Sequence, residues 1–199
     1  MVRAFPLNGG RPCLDFVNSV DPREPQGEDF LPDYSALLAW SNRVRLLEPA
    51  VLDRVIRRAR SSPRKAALAQ RRAIELRELL YPILRAYAEG QPPRRGLAKR
   101  FARRSSMLER DRALTWRDGA WSWEAAPKNL LDLPADVLLD DALDLLTSGE
   151  RVGLCAGDEC GWLFVDASKN QSRRWCSMAG CGNRAKARRH YQRRRSVAQ

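Results

Sequence analysis

Residues 155–181 read CAGDECGWLFVDASKNQSRRWCSMAGC, and the spacing of four cysteines in this stretch decides how the C-terminal part of the chain folds. Cys155 and Cys160 enclose four residues, Cys176 and Cys181 enclose another four, and fifteen residues separate the pairs. Two short-spaced pairs joined by a loop can close a tetrahedron of thiolates around one Zn2+. Soft thiolates also admit an iron–sulfur cluster, but the basic surroundings and small apolar shell favour zinc. Four protein ligands leave no open position for water or substrate, so the expected role of the single Zn2+ is structural. The fifth cysteine, Cys13, stands far away, and paired cysteines in a chain without a secretory signal read as metal ligands rather than as a disulfide framework.

Between the pairs, residues 162–166 alternate in polarity as a strand. Residues 168–170 supply a turn, and Arg173, Arg174 and Trp175 are expected to return as the second strand. Trp162, Phe164 and Trp175 give such a segment only a miniature core, so metal binding must supply most of its folding free energy. After Cys181, residues 185–195 are good helix formers. A ligand pair on a turn, a hairpin, and a second pair at a helix start is the layout of a treble-clef-like finger. The amides at that helix start can stabilise the thiolates.

Charge points the same way. From Lys169 to the C-terminus there are ten Lys or Arg and no acid, which leaves twenty-six bases against twenty-four acids in the preceding 168 residues. A one-sign field on a short segment marks a polyanionic partner, because neutralising phosphates releases counterions. On a helical wheel Lys186, Arg189 and Arg193 share one sector, Arg184, Arg188 and Arg195 fall in another beside Tyr191, and no broad apolar stripe remains. Arg173, Arg174, Arg184, Lys186, Arg188, Arg189, Arg193 and Arg194 are therefore the candidate nucleic-acid contacts. DNA is the expected partner and RNA the alternative, since Trp and Tyr can stack on unpaired bases. A single finger reads few base pairs, so a homodimer is one way to gain specificity. His190, nine residues past Cys181, reads as a surface or phosphate-contact residue rather than a ligand.

Upstream, residues 1–149 read as mainly helical. Apolar stripes cover 32–47, 49–59, 64–89 and 129–148, a basic helix covers about 96–110, and Gly149 ends the last of these helices. Pro82 predicts a kink or break near Tyr81. Leu114, Trp116, Trp121 and Trp123 alternate about Asp118-Gly119, a two-residue hairpin signal. In that register all four side chains share one face, expected to lie as a lid on the helical core. The fold class is thus mainly α with a small β-hairpin over 1–149, plus a small α+β treble-clef-like zinc finger over 150–199. One histidine, no phosphate-cradling glycine loop and no nucleophile paired with a base argue against an enzyme. No run is long and apolar enough to span a bilayer, so no membrane association is expected, and the absence of a secretory signal makes the cytoplasm the expected location.

The pattern Cys155-x4-Cys160-x-Trp162-Leu163-Phe164-x-Asp166-x-Ser168-x-Asn170-x2-Arg173-Arg174-Trp175-Cys176-Ser177-Met178-x2-Cys181-Gly182-Asn183-Arg184 resembles the CGNR zinc-finger family. Gly9-Gly10 and Leu14-Asp15-Phe16-Val17-Asn18-Ser19 are similar to the ABATE domain that accompanies this finger in bacterial proteins regarded as stress-response transcription regulators. The resemblance implies a DNA-binding output module tied to an N-terminal sensor. Asp15 and Asn18, polar residues among Leu14, Phe16 and Val17, are the candidate effector pocket for a small molecule; capping a turn or satisfying buried backbone is the competing role.

Overall fold

Prolines open four of the helices, where their missing N–H costs nothing and their fixed φ starts the turn. In the computed structural model of the chain, residues 5–23, 27–110, 112–117, 119–125 and 129–197 are described. The helices are α1 (Pro12–Val17), α2 (Tyr34–Arg43), α3 (Pro49–Ser61), α4 (Pro63–Ala88), α5 (Arg95–Arg110), α6 (Leu133–Ser148) and α7 (Asn183–Val197). The strands form three antiparallel pairs, β1 (Val20–Asp21) with β2 (Glu28–Asp29), β3 (Arg112–Arg117) with β4 (Ala120–Ala125), and β5 (Val152–Leu154) with β6 (Leu163–Val165), and single turns at Leu130–Asp132 and Met178–Gly182 lead into α6 and α7.

The centre is α4, which packs against α1, α2, α3, α5 and α6. It buries Leu76, Leu80, Tyr81, Ile83 and Leu84 on the side that meets them. The helix runs through Pro82 without the expected break. Burial of Tyr81, Ile83 and Leu84 on both sides of the proline keeps the helix continuous, so tertiary packing overrides the one missing donor. Helix α6 ends, as its sequence indicates, on Gly149 in the left-handed region at φ 76°.

The β3–β4 ribbon has the expected register, Trp116 opposite Trp121 and Leu114 opposite Trp123; Asp118 of its turn lies outside the described residues. Its outer half is not the expected lid, although β4 does reach α6; the Trp123 side chain lies outside the described residues. Trp116 and Trp121 meet edge to face at 5.4 Å yet remain 57% and 64% exposed, and Leu114 is exposed as well. The core that a lid would cover is already closed by Leu131, Leu138, Leu139 and Leu145 from α6 and the turn before it.

The cysteine-rich segment also departs from expectation. β6 pairs with β5 upstream of Cys155, Val152 opposite Val165 and Leu154 opposite Leu163, and residues 173–175 form no strand. Cys155 and Cys160 therefore sit at the tip of a hairpin that encloses them. Nor is the core of this segment a separate miniature. Val152, Trp162, Leu163 and Phe164 are buried in the same cluster as Phe16, Leu80 and Leu139.

Polar groups lock that joint. The Asn18 side chain, fully buried, donates from Nδ2 to the Leu163 carbonyl at 2.8 Å and accepts the Leu163 N–H at 2.9 Å. Trp162 Nε1 donates to the Val20 carbonyl, Tyr81 Oη to the Gly161 carbonyl, and the Arg23 amide to the Cys160 carbonyl. The Arg23 guanidinium lies 4.1 Å over the Tyr81 ring and pairs with Glu78. The chain before α1 joins the edge of β6 through Val165 N–H to the Gly9 carbonyl, and Gly10, at φ 83°, takes there a conformation that side chains resist. Among the described residues no helix is long and apolar enough to cross a membrane.

Candidate metal centre and nucleic-acid interface

Cys155 lies just past β5 and Cys160 just before β6, while Cys176 precedes and Cys181 lies inside the π-turn Met178–Gly182 that leads into α7. All four side chains are buried, and their Sγ atoms lie within 4.8 Å of one another. Two of the separations, Cys160 to Cys176 and Cys176 to Cys181, are 3.7 Å. A tetrahedron with metal–sulfur bonds of about 2.3 Å requires sulfurs roughly 3.8 Å apart, so the donor set has the size of one Zn2+. Sulfurs this close together suit one ion rather than a cluster whose thiolates bind different iron atoms.

The protonation chemistry agrees. Thiols this close compete for protons: hydrogen bonds from Cys160 and Cys176 hold Cys155 down at about 2, and the same bonds push Cys160 up to about 12 and Cys176 higher still. A dication at the centre resolves the conflict by letting every sulfur ionise.

The surroundings are built for negative sulfur. Cys155 Sγ accepts from the Gly157 amide at 3.4 Å and the Cys176 amide at 3.3 Å, and Arg184 donates to Cys181 Sγ at 3.0 Å. The charge of Cys181 holds the Arg184 guanidinium above its ordinary pKa. A Cβ on Gly157 would stand 3.0 Å from Cys181 Sγ and 3.4 Å from Cys155 Sγ, so that position takes glycine for close approach of the backbone. The Cys155 amide bonds the Trp162 carbonyl and closes the first ligand hairpin, and the Ala156 amide bonds the Arg174 carbonyl and ties that hairpin to the second ligand loop.

Two family models match the chain: the CGNR zinc finger over residues 151–194, and ABATE, described as "Putative stress-induced transcription regulator", over residues 10–149. The chain belongs to the ABATE family. Its C-terminal segment is a CGNR zinc finger that holds one structural zinc on Cys155, Cys160, Cys176 and Cys181. No curated protein matches the ABATE chain by sequence.

The other expected site residues of this ABATE protein sort by what their side chains touch. Arg173 is committed to the fold. Its guanidinium donates to the carbonyls of Trp175, Val165, Asn8 and Cys176 and lies 4.3 Å over the Phe164 ring. Four carbonyl partners leave little of its donor fork for a phosphate, so Arg173 is a structural residue and not the nucleic-acid contact expected of it. Asp166 complements it, accepting from Ser168 Oγ and from the Ser168 and Arg173 amides; the Ser168 hydroxyl leads in holding its carboxyl below the usual range. Arg184 serves the thiolate, and Arg188 pairs with Asp158 of the first ligand loop across an exposed surface. Arg174 is exposed beside the Trp175 ring. Every side chain from Lys186 to Arg194 is exposed, Arg189, His190 and Arg193 among them.

Asp15 and Asn18 are both buried and both spend their side chains on backbone groups. Asn18 is the clamp on Leu163, and Asp15 Oδ1 accepts the Gly9 amide at 2.8 Å. Burial pushes the Asp15 carboxyl up to about 6. What sequence reading missed are Arg23, Glu78 and Tyr81, which hold the finger to α4 from positions whose local pattern signals nothing beyond a helix face or a turn.

Proposed function

We propose that this chain is a non-enzymatic transcription regulator that binds DNA through α7 and the loop before it, with the zinc serving to fix where that helix starts. The observation that carries the reading is α7 itself. Its seven Lys or Arg stand among no acids, and Lys186 through Arg194 present every side chain to solvent. A helix that exposes every side chain from Lys186 to Arg194 contributes little to its own domain through that stretch, and a dense cationic surface rooted on a metal site suits a phosphate backbone.

Lys186, Arg189 and Arg193 on one sector, with Arg194 and Arg174 beside them, are the proposed contacts. Arg188 can exchange Asp158 for a phosphate, because an exposed ion pair is worth little. The family description supports a role in transcription under stress. The test is fluorescence anisotropy of zinc-loaded protein on duplex DNA across a salt series. A triple Lys186→Ala, Arg189→Ala, Arg193→Ala variant should keep its zinc and lose about 3 from the log–log salt slope, roughly 0.9 per phosphate contact. An unchanged slope, or preference for structured RNA over duplex at matched salt, would refute the DNA reading.

A further inference from the structure

The N-terminal helices leave a cleft of about 820 Å³ between α2, α3 and the first half of α4, on a different set of elements from the zinc site. That volume falls in the range of small-molecule sites, which run from roughly 300 to 1,000 Å³. Its walls are mostly apolar: Tyr34 and Leu38 from α2, Leu52 and Ile56 from α3, and Ala66 from α4. Charge at the mouth cancels, Asp33 and Asp53 standing against Arg60 and Arg71. Asp33 is further occupied as the N-cap of α2, accepting from the Ala36 amide and the Ser35 hydroxyl. The hydroxyl of Tyr34 is spent on the Leu131 carbonyl.

One wall residue is left incomplete. Gln70, 7% exposed, donates from Nε2 to the Leu31 carbonyl at 2.7 Å, which fixes the orientation of its amide and assigns the oxygen. That oxygen, Oε1, is buried and has no hydrogen-bond partner among the described residues. Buried acceptors without partners are uncommon and costly, and the helix amides near Gln70 are engaged in their own ladder. Gln70 lines the cleft, so a donor entering from that side would supply the missing bond. Two buried indole nitrogens, of Trp40 and Trp175, are also unpaired, but neither lies on this cleft.

We infer that the cleft between α2, α3 and α4 binds a small, uncharged, largely apolar molecule carrying an N–H or O–H group that donates to Gln70 Oε1. Balanced charge at the mouth selects against ions, the apolar walls supply the burial, and the lone acceptor sets the orientation. That such a molecule acts as an effector rests on the DNA-binding reading; the binding itself does not, and is measured without DNA.

The probes are N-phenyl-1-naphthylamine, which is apolar and has one N–H, and its N-methyl derivative, which has none, titrated by fluorescence into the full zinc-loaded chain. The parent compound should bind saturably at one site and about tenfold more tightly than the N-methyl compound, the ratio expected for one buried hydrogen bond. Gln70→Leu should abolish that ratio. Ala39→Trp and Ala67→Trp, at exposed positions on the cleft walls, should fill the space and remove saturable binding of both probes while leaving the circular dichroism unchanged. Absence of saturable binding to the wild-type chain, equal affinity for the two probes, or binding that survives both tryptophan substitutions would overturn the assignment. The wild-type comparison of the two probes stands even if the Gln70 variant fails to fold.

Discussion

Replacing Asn18 by Ala should cost the protein far more than an average polar substitution. The side chain is fully buried and pairs with both backbone groups of Leu163, the central contact between α1 and β6. Truncation would leave an N–H and a C=O unpaired in a dry interior, each costing about 1–3 kcal/mol. The two together, with the space vacated by the amide, give an expected loss of about 3–5 kcal/mol, a large part of the 5–15 kcal/mol typical of a whole domain. Urea denaturation of zinc-loaded wild type and variant, followed by circular dichroism, measures it directly. Zinc affinity, read by competition with a chromophoric chelator, should fall in parallel, since folding of the ligand loops and metal binding are linked. Asn18→Asp offers a finer check. The carboxylate would still accept from the Leu163 amide but would face the Leu163 carbonyl with a charge, so this variant should recover stability as pH falls and the carboxyl protonates. A loss under about 1 kcal/mol for Asn18→Ala, with zinc affinity intact, would show that the clamp does not hold the finger to the helices.

Chelation at neutral pH should lower the thermal stability of the helical signal as well as that of the finger, because Trp162, Leu163 and Phe164 are buried among residues of α1, α4 and α6; a helical melt indifferent to metal would refute a shared core. Asp15 should make stability fall as pH rises. Its folded carboxyl titrates near 6, above the ordinary 3.8, so its contribution is complete below about pH 4 and is lost as pH rises through 6, amounting to about 3 kcal/mol at 1.36 kcal/mol per unit. Asp15→Asn, which keeps an acceptor for the Gly9 amide, should therefore be more stable than wild type at pH 8 and converge with it near pH 4 in parallel melts. A difference independent of pH would contradict the buried-carboxyl account.

The parts of this fold that sequence makes legible are those governed by short-range rules. Cysteine spacing identifies the metal site because coordination geometry limits which spacings close a tetrahedron, and the Trp116–Trp121 register follows from a two-residue turn. The partner of β6 is not legible, because residues 162–165 alternate equally well beside 173–175 as beside 152–154, and only the placement of Cys155 and Cys160 at a shared tip decides it. Arg173 misleads for a related reason. In a run of basic residues nothing local distinguishes a guanidinium that collects four carbonyls from one offered to solvent. Asn18 finds its partner 145 residues away, and no pattern around α1 announces that distance. The ribbon shows the opposite failure, since aromatic alternation predicts burial and the indoles of Trp116 and Trp121 face water.

The apolar underside of β6 makes this finger a poor candidate for transplantation. Fingers that carry their own interior can be shuffled between proteins as cassettes, whereas a graft of residues 150–199 would bring Trp162, Leu163 and Phe164 with nothing to cover them and Leu163 with no amide to meet its backbone. Any chimera that moves the basic helix to a new host must take α1 and the middle of α4 along with it.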